Sequence, residues 1–447
     1  MNKKLMAVAV ASALTAPGLA VAQVGSSPGI TLYGRLDETI MNSKYTSVSN
    51  SAGTTTTNEV KKGDIYSPGN AIGVRGREDL GGGTALWFQL EAGAWPDGRL
   101  EASATTGAHF GGRNSGLGVS SELGDVVLGI WDTPYKSVDG TWNSLNSGGF
   151  SSGGIIMNNG DATGALNNAL CSNIVSNGTG AITTLVNGVC VTESTASSTA
   201  FSRRINNSVQ YWSPVFAGLQ FKLMTALANY QSPGNAQFAS GLPKPKEWSA
   251  SVTWARGPLS VGAGYDLHQG LRPNTGTIVS GNVNPKDTAF QVGGKWNFGI
   301  GEVGAGYEKL AYGDNAGTGQ ASTKMDVPAF VVNGRVNAGP GAVWASYSKS
   351  SGGKSCSNQA LVIGSAACGV EAKMMTLGYD YIMSKRTKMY FAYNKIDNGL
   401  KYVGTTNVGT AYYYIAGPAA NQNNGTSGGL IAGTDVTTIG LGIQHSF

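Results

Sequence analysis

The sequence predicts an all-β protein: a sixteen-stranded antiparallel transmembrane β-barrel with long extracellular loops and short periplasmic turns. Three observations lead to this prediction. The chain ends on a half-apolar segment whose last residue is aromatic, short segments of alternating apolar and polar residues recur along it, and the connections between them are alternately long and short. Only 13% of the residues are charged, where about 25% is usual in soluble domains.

The chain begins with the pattern of an export signal. Two lysines precede an apolar stretch from Leu5 to Ala16, and Ala20-Val21-Ala22 forms a small-x-small cleavage site. The apolar stretch has about 12 residues, fewer than the roughly 20 that a spanning helix needs. We therefore expect residues 1–22 to be removed as a signal peptide, which leaves residues 23–447 as a single barrel domain.

Sixteen segments after this signal show the period-two pattern of a half-buried strand. The clearest runs from Ala289 to Phe298. Its apolar side chains Phe290, Val292 and Trp296 share one face, and its length is about the nine to eleven residues that a tilted spanning strand requires. The predicted strands begin near Ile30, Ala71, Ala85, Arg113, Val126, Asn206, Leu219, Lys246, Leu259, Lys286, Val303, Met325, Ala342, Ala372, Lys388 and Val436.

The connections form a second pattern, because long and short ones follow each other in strict order. The long connections are 41–70, 92–112, 132–205, 229–245, 269–285, 313–324, 350–371 and 398–435. The short ones are 78–84, 121–125, 214–218, 257–258, 299–301, 338–341 and 384–387. Long loops on one side of the membrane and short turns on the other are the anatomy of an outer-membrane barrel. A soluble sandwich of sheets also has alternating strands, but it does not predict this order of connections.

The last predicted strand, from Val436 to Phe447, has the features of a strand that closes a barrel. Ile439, Leu441 and Ile443 fall on the same face as the terminal phenylalanine, while polar residues and glycine fall on the other. Alternate side chains of such a strand face lipid and lumen. We expect Phe447 to close the barrel and to take part in its assembly.

A barrel of sixteen strands encloses an aqueous channel, whereas eight strands leave a bore that side chains fill. Basic residues out of phase with apolar neighbours are predicted to face this channel, because a charge facing lipid costs about 2–4 kcal/mol near the membrane midplane. Arg113 is ambiguous, since Leu117 and Val119 give it the lipid phase although it lies at a strand end. The predicted pore-lining basic residues are Arg35, Arg75, Arg77, Lys222, Lys295 and Arg113.

The connection 132–205 is by far the longest, at roughly 70 residues where loops over about 15 are uncommon. Folding it inward against the barrel wall would narrow the lumen and give its polar groups partners. The alternative is a long surface loop rich in Gly, Ser and Asn.

The four cysteines form two pairs that are local in sequence, Cys171 with Cys190 and Cys356 with Cys368. Export places them in an oxidising compartment, so disulfides within two loops are the default interpretation. The three histidines lie far from both pairs in sequence, so neither a metal site nor a cofactor is predicted.

Several stretches resemble the general trimeric porins of Gram-negative outer membranes. They are Thr31–Asp37, Gly73–Ala85, Leu123–Gly129, Asn207–Tyr211 with Ser213-Pro214 after it, and the terminal Phe447. The resemblance implies a place in the bacterial outer membrane, a homotrimer surrounded by outer-membrane lipid, and a third loop folded into each pore.

The sequence departs from that family in two places. Ile130-Trp131 stands where members usually carry an Arg-Gln pair, and the acidic Pro-Glu-Phe-Gly tip of the third loop has no match. The acids of the constriction are therefore candidates by position alone. They are Asp139, Asp161 and Glu193.

The function predicted from these features is passive diffusion of small hydrophilic solutes and ions, with a mild preference for anions because the lumen arginines outnumber the candidate acids. A substrate-specific channel, or a barrel that acts as adhesin or enzyme, is the alternative. Gly149–Gly153 matches a nucleophile elbow, but it lies in a Gly/Ser-rich loop without the strand-turn-helix context, so no enzyme is predicted. The formal charge of +5, or +3 without the two lysines of the signal, is too small to predict a nucleic-acid partner.

Overall fold

The computed structural model describes residues 29–51, 54–94, 96, 111–145, 150, 183–186, 189–192, 201–202, 204–226, 246–269, 286–312, 325–351, 372–398 and 435–447. Within these ranges the chain forms one antiparallel sheet of seventeen strand segments and a separate two-stranded hairpin. The strands of the sheet are β1 (Gly29–Ser51), β2 (Thr54–Tyr66), β3 (Ala71–Gly81), β4 (Thr84–Gly93), β5 (Ser115–Ser121), β6 (Gly124–Asp132), β9 (Arg204–Trp212), β10 (Leu219–Ala226), β11 (Lys246–Arg256), β12 (Leu259–Gln269), β13 (Lys286–Asn297), β14 (Gly301–Tyr312), β15 (Met325–Ala338), β16 (Gly341–Ser350), β17 (Ala372–Ile382), β18 (Thr387–Asn398) and β19 (Asp435–Ser446). The hairpin is β7 (Thr183–Val186) with β8 (Val189–Thr192).

The sheet is a closed ring. From β9 to β19 each strand pairs with the next one in sequence, and β1 pairs with β19 over Arg35–Thr46. On its other edge β1 pairs with β3 over Gly29–Arg35 and with β2 over Thr39–Ser51. Because β2 and β3 follow each other along the same edge of β1, they form one interrupted strand. Counted in this way the ring has sixteen strands, which confirms the predicted barrel.

One part of the prediction is wrong. Residues 41–70 were expected to form a long loop, whereas β1 continues to Ser51 and β2 occupies Thr54–Tyr66. The β2 segment consists mostly of polar residues on both faces and therefore lacks the lipid-facing alternation of a spanning strand. It is held by its ladder to β1 and by an ion pair of 2.5 Å between Lys44 and Glu59.

The walls of the barrel are apolar outside and polar inside. On β16 the side chains of Val343 and Tyr347 are 43% exposed, while the intervening Trp344 and Ser346 are buried on the inner face. In a protein surrounded by water, most such apolar side chains would be buried in the core. The inverted arrangement is that of a barrel in lipid, whose inner face meets water.

The sequence predicts seven short connections. The structure describes all seven, and each is a tight turn between neighbouring strands. Four of them have only two residues. One of these consists of Gly257 and Pro258 between β11 and β12, and Gly257 has a φ of +60°, a conformation that glycine adopts without strain. Two short helices, α1 (Pro134–Ser137) and α2 (Asp139–Trp142), follow β6. In the described ranges no helix is long and apolar enough to cross a membrane.

The seam between β1 and β19 ends at the terminal phenylalanine. The backbones of Gly34 and Phe447 exchange both hydrogen bonds, each of 3.1 Å. A side chain at position 34 would collide with the Phe447 ring, and its Cβ would lie 2.9 Å from the carbonyl oxygen of Ala71. Glycine at this position therefore allows the terminal ring to lie against the first strand.

A buried carboxylate reinforces the same seam from inside the barrel. Asp37 is 1% exposed and accepts hydrogen bonds from the Tyr390 hydroxyl at 2.6 Å and from Nε2 of Gln444 at 2.9 Å. The three residues lie on β1, β18 and β19. Side-chain hydrogen bonds thus connect the three strands that meet at the closure.

Substitution of Gly34 by alanine is expected to weaken barrel closure, because the added Cβ overpacks a site of backbone and ring contacts, at a typical cost of about 1–3 kcal/mol. The amount of folded, heat-modifiable barrel in outer-membrane fractions should fall. Gly63→Ala is the matched control, since the nearest atom to its Cβ would be the Met41 carbonyl oxygen at 4.0 Å. Equal losses in the two variants would contradict the assignment of the seam.

Candidate functional site

The segment that enters the lumen begins where β6 ends. The Thr133 side chain caps α1 by accepting a hydrogen bond from the backbone N–H of Lys136, and Pro134 occupies the first turn. Proline at this position costs no hydrogen bond, since the first N–H groups of a helix have no partner within the helix. The sequence Thr-Pro therefore fixes the direction in which the chain leaves the wall.

The helix α1 binds the inner face of β11 to β14. The backbone N–H of Tyr135 donates to Oγ of Ser249 at 3.0 Å, and its carbonyl oxygen accepts from Nε2 of Gln291 at 2.6 Å. The Tyr135 hydroxyl donates to Glu308 at 2.5 Å. Burial raises the pKa of this hydroxyl well above its ordinary value, and the Glu308 carboxylate adds to the shift. Tyr135 therefore stays protonated and anchors α1 to the wall.

The helix α2 binds next to it through Trp142. The indole N–H of Trp142 donates to Gln291 at 3.2 Å, and its backbone oxygen accepts from Nδ2 of Asn333 at 3.2 Å. Gly304 and Gly306 on β14 make room for this residue. A Cβ at Gly304 would clash with the Trp142 carbonyl oxygen, and one at Gly306 would lie 3.0 Å from its ring.

Two described residues beyond α2 lie against strands near the seam. Leu145 and Phe150 are buried against Met41, Trp344 and Tyr390, which belong to β1, β16 and β18. The described part of the segment thus lies along the inner wall from β11 to β19.

A cavity of about 400 Å³ lies between the two helices and part of the barrel wall. Its walls come from β1, β3, β4, β6, β9, β10 and β11 and from the free face of α1 and α2. It is lined by Tyr33, Arg75, Gln89, Glu91, Asn114, Trp131, Asp132, Pro134, Lys136, Ser137, Asp139, Gly140, Gln210, Trp212, Gln220, Lys222 and Thr253.

Two acids of this cavity are paired with cations. Asp132 forms ion pairs with Lys136 at 2.7 Å and with Arg204 at 3.4 Å. Glu91 forms an ion pair with Arg113 at 2.6 Å and accepts a hydrogen bond from Tyr33 at 3.0 Å. The negative charge of each carboxylate is therefore compensated by the cation or cations with which it is paired.

Two cations of the cavity lie against aromatic rings instead. The guanidinium of Arg75 is 5.0 Å from the centre of the Tyr33 ring, and Nζ of Lys222 is 4.9 Å from the Trp212 ring. Neither forms an ion pair with a carboxylate of the described residues. A ring attracts a cation without carrying a net charge, so the contact with the ring does not itself neutralise either residue.

Three tryptophans assemble beside Lys222. Trp87, Trp131 and Trp212 lie with ring centres 5.3–5.7 Å apart, Trp87 stacked on Trp212 and Trp131 edge-on to both. Trp87 is 2% and Trp212 4% exposed, whereas Trp131 is only partly buried and borders the cavity. An indole surface therefore forms part of the cavity lining.

The other predicted basic residues lie apart from this cavity. Arg35 donates to the Gly69 carbonyl at 2.7 Å, and Arg77 reaches Ser120 at 3.4 Å near the short turns. Lys295 is 8% exposed and reaches the Asn143 carbonyl at 3.4 Å beneath α2.

The predicted loop residues are only partly described. Asp139 begins α2 and borders the cavity. Asp161, Glu193, Cys171, Cys356 and Cys368 lie outside the described residues, as does the predicted signal peptide. Cys190 is described only as part of the β8 backbone.

Sequence reasoning missed several charged residues of the lumen. Lys136 and Arg204 flank Asp132, and the four-residue spacing of Lys136 from Asp132 was a signal that could have found it. Asp380 is fully buried between Arg335 at 3.3 Å and Lys388 at 3.2 Å. These three residues lie on β15, β17 and β18, and only the barrel brings them together.

A further polar cluster lies behind α1. Nε2 of His268 is 3.6 Å from Glu247 and 3.3 Å from Asp266, and Phe201 stacks on the imidazole at 4.3 Å. The donor atoms of the three ionisable residues lie within 4.8 Å of one another, a spacing that could hold a metal ion. A protonated His268 would equally compensate one of the carboxylates. The cluster is covered by the helix and does not border the cavity.

Comparison with known proteins gives a consistent result. Residues 7–401 match the family model described as "Gram-negative porin". The chain is 25% identical to outer membrane porin protein 32 of Delftia acidovorans over the full length of both proteins. It is 31% identical to the major outer membrane protein P.IB of Neisseria gonorrhoeae over 137 residues, and that match spans 36% of the relative and 31% of this chain.

Solved structures share the fold. The anion-selective porin from Comamonas acidovorans is 20% identical, with a TM-score of 0.57 and coverage of 94% of this chain and 99% of that one. The trimer form of OmpT of Vibrio cholerae is 15% identical, with a TM-score of 0.56 and the same coverage. At these identities the likeness extends to the fold alone.

Substitution of Gly304 by valine is expected to displace α2 from the wall, because the new side chain would occupy the place of the Trp142 backbone. Overpacking of this kind costs about 1–3 kcal/mol. The lumen should widen or fluctuate, and the single-channel conductance in planar bilayers should rise or become noisy. Ala305→Val on the lipid face of the same strand is the control and should leave the conductance unchanged. A stable wild-type conductance in Gly304→Val would contradict the contact.

Proposed function

The chain belongs to the Gram-negative porin family and forms a diffusion channel of the outer membrane, and on that premise we propose that this channel prefers anions and that the cavity beside α1 and α2 is its constriction. As a porin it is a channel and not an enzyme. Its solutes are small hydrophilic molecules and ions that pass down their gradients through the water-filled lumen. The selectivity of such a passage depends on the charges at its narrowest part.

One observation carries the proposal: Arg75 and Lys222 lie against aromatic rings and not against carboxylates. An ion pair presents little net charge to a passing ion, because its two fields cancel beyond a short distance. A cation on a neutral ring keeps its field. Within a Debye length, about 10 Å at 0.1 M salt, that field attracts anions and repels cations.

The remaining charges of the cavity add to this effect. Asp132 is shared by Lys136 and Arg204, so this group of three carries a net positive charge. Glu91 and Arg113 cancel each other. Asp139 is the acid that opposes the field from the loop side. Counted together, the charged groups of the described residues at the cavity favour an anion.

The relatives support the proposal without deciding it. The structural neighbour from Comamonas acidovorans is described as anion-selective, and the OmpT structure is described as a trimer. We propose that this chain also assembles as a homotrimer embedded in outer-membrane lipid. We further propose that residues 1–22 are removed on export, in agreement with the pattern of residues around Ala22.

Charge reversal of Arg75 is expected to move the channel toward cation selectivity. Arg75→Glu changes the charge of the constriction by two units, so the reversal potential in a KCl gradient should shift toward that of a K⁺-selective channel at about 0.1 M salt and shift less at 1 M. Arg77→Glu makes the same change two residues along the same strand, away from the cavity, and should shift the potential less. A cation-selective wild type, or equal shifts in the two variants, would overturn the proposal.

The two cysteine pairs give a separate prediction. We propose the disulfides Cys171–Cys190 and Cys356–Cys368, because each pair lies within one predicted extracellular loop. Peptide mapping under non-reducing conditions should recover both cross-linked peptides. Free thiols, or a link between Cys171 and Cys356, would show that the loop assignment is wrong.

A further inference from the structure

The constriction holds more indole surface than a passage for small inorganic ions requires. Trp131 borders the open space, and Trp87 and Trp212 support it from behind with ring centres within 5.7 Å. The wall of a water-filled channel is ordinarily polar. An indole beside two cations that contact aromatic rings is therefore unusual for such a wall.

We propose that this cavity contains a subsite for aromatic carboxylates, in which the carboxylate lies near Lys222 and the ligand ring packs against Trp131. The proposal rests on the anion preference proposed above and names the substrate class of that passage. Lys222 and Trp131 both contact the same residue, since Lys222 lies 4.9 Å from the Trp212 ring and Trp131 lies 5.3 Å from it. A cation and a partly buried indole are thus both gathered around Trp212 at the lining of the same cavity.

The rings of Trp212 and Trp87, which support Trp131, are held in a fixed position. The Trp212 indole N–H donates to Gln210 at 2.9 Å, and Nε2 of Gln210 donates to the Asp132 carbonyl at 3.1 Å. Trp87 covers the Trp212 ring as a stacked partner. Because these bonds fix the rings before a ligand arrives, little conformational entropy is lost on binding.

The size and polarity of the cavity fit such a ligand. A volume of about 400 Å³ lies within the range of about 300–1,000 Å³ that is usual for small-molecule sites. Amide side chains of Gln89, Gln210 and Gln220 line the space around the rings. Their amide nitrogens donate to the backbone oxygens of Asn114, Asp132 and Ser213, so they keep the lining polar without adding charge. Arg75, which also lines the cavity, supplies a second cation for a permeating carboxylate.

The test compares two carboxylates of equal charge and similar size. The wild-type trimer is reconstituted in a planar bilayer, and its chloride conductance is titrated with benzoate or with cyclohexanecarboxylate at constant ionic strength. Benzoate should half-block the current at a concentration roughly two- to tenfold lower, the range expected for one aromatic pair. Acetate, which has no ring, should block more weakly than either.

Two variants locate the effect. Trp131→Leu keeps an apolar side chain but removes the indole, and it should abolish the difference between the two carboxylates. Trp248→Leu removes an indole from the outer face, where Trp248 is 54% exposed, and should leave the difference intact. Lys222→Gln should weaken block by both carboxylates in parallel.

The outcomes separate this inference from the anion preference on which it rests. Equal block by benzoate and cyclohexanecarboxylate in the wild type overturns the aromatic subsite, whatever the variants do. A difference that persists in Trp131→Leu overturns the assignment of the ring. The K⁺/Cl⁻ reversal potential, recorded on the same membrane, tests the anion preference independently. A channel that is anion-selective but shows no preference for benzoate would contradict the aromatic subsite and leave the proposed anion preference intact.

Discussion

The constraint on which the structure depends is the need to satisfy every backbone hydrogen-bonding group within the membrane. Lipid offers no partner for an exposed N–H or C=O, so a sheet can cross it only as a closed ring. Here the ring closes where β1 pairs with β19, and the backbone of Gly34 exchanges two hydrogen bonds with that of Phe447. Asp37, Tyr390 and Gln444 add side-chain bonds across the same strands. Closure leaves each strand with one face in lipid and one in water, and the period-two sequence follows from that.

The same rule applies inside the barrel, where the segment after β6 lies against the wall. Its backbone groups find partners in wall side chains: Ser249, Gln291 and Asn333 bond the chain at Tyr135 and Trp142. Glycines on β14 allow the approach, because a side chain there would occupy the space of Trp142. The polar and small residues of the inner face thus do more than keep the lumen wet. They form the site to which the constricting segment is fastened.

The electrostatics of the passage follow from where each cation finds its partner. Cations beside carboxylates, such as Arg113 on Glu91, contribute little field to the lumen. Cations beside rings, such as Arg75 on Tyr33, keep their charge available to a permeating ion. Aromatic residues in this lumen therefore have two consequences: they hold cations without neutralising them, and they present an apolar surface to the solute.

The sequence by itself determined the number of strands, where they begin, and the order of long and short connections, because alternation at period two and turn residues are local signals. It did not predict β2, whose two polar faces carry no such signal and which forms only by pairing with the extended β1. It left the phase of Arg113 open, and the structure places this residue on Glu91. Nor did it predict that Trp87, Trp131 and Trp212 lie together, because these residues come from β4, β6 and β9. Contacts across the lumen depend on the register of the closed ring and on the path of the segment within it, and no local pattern in the sequence encodes these.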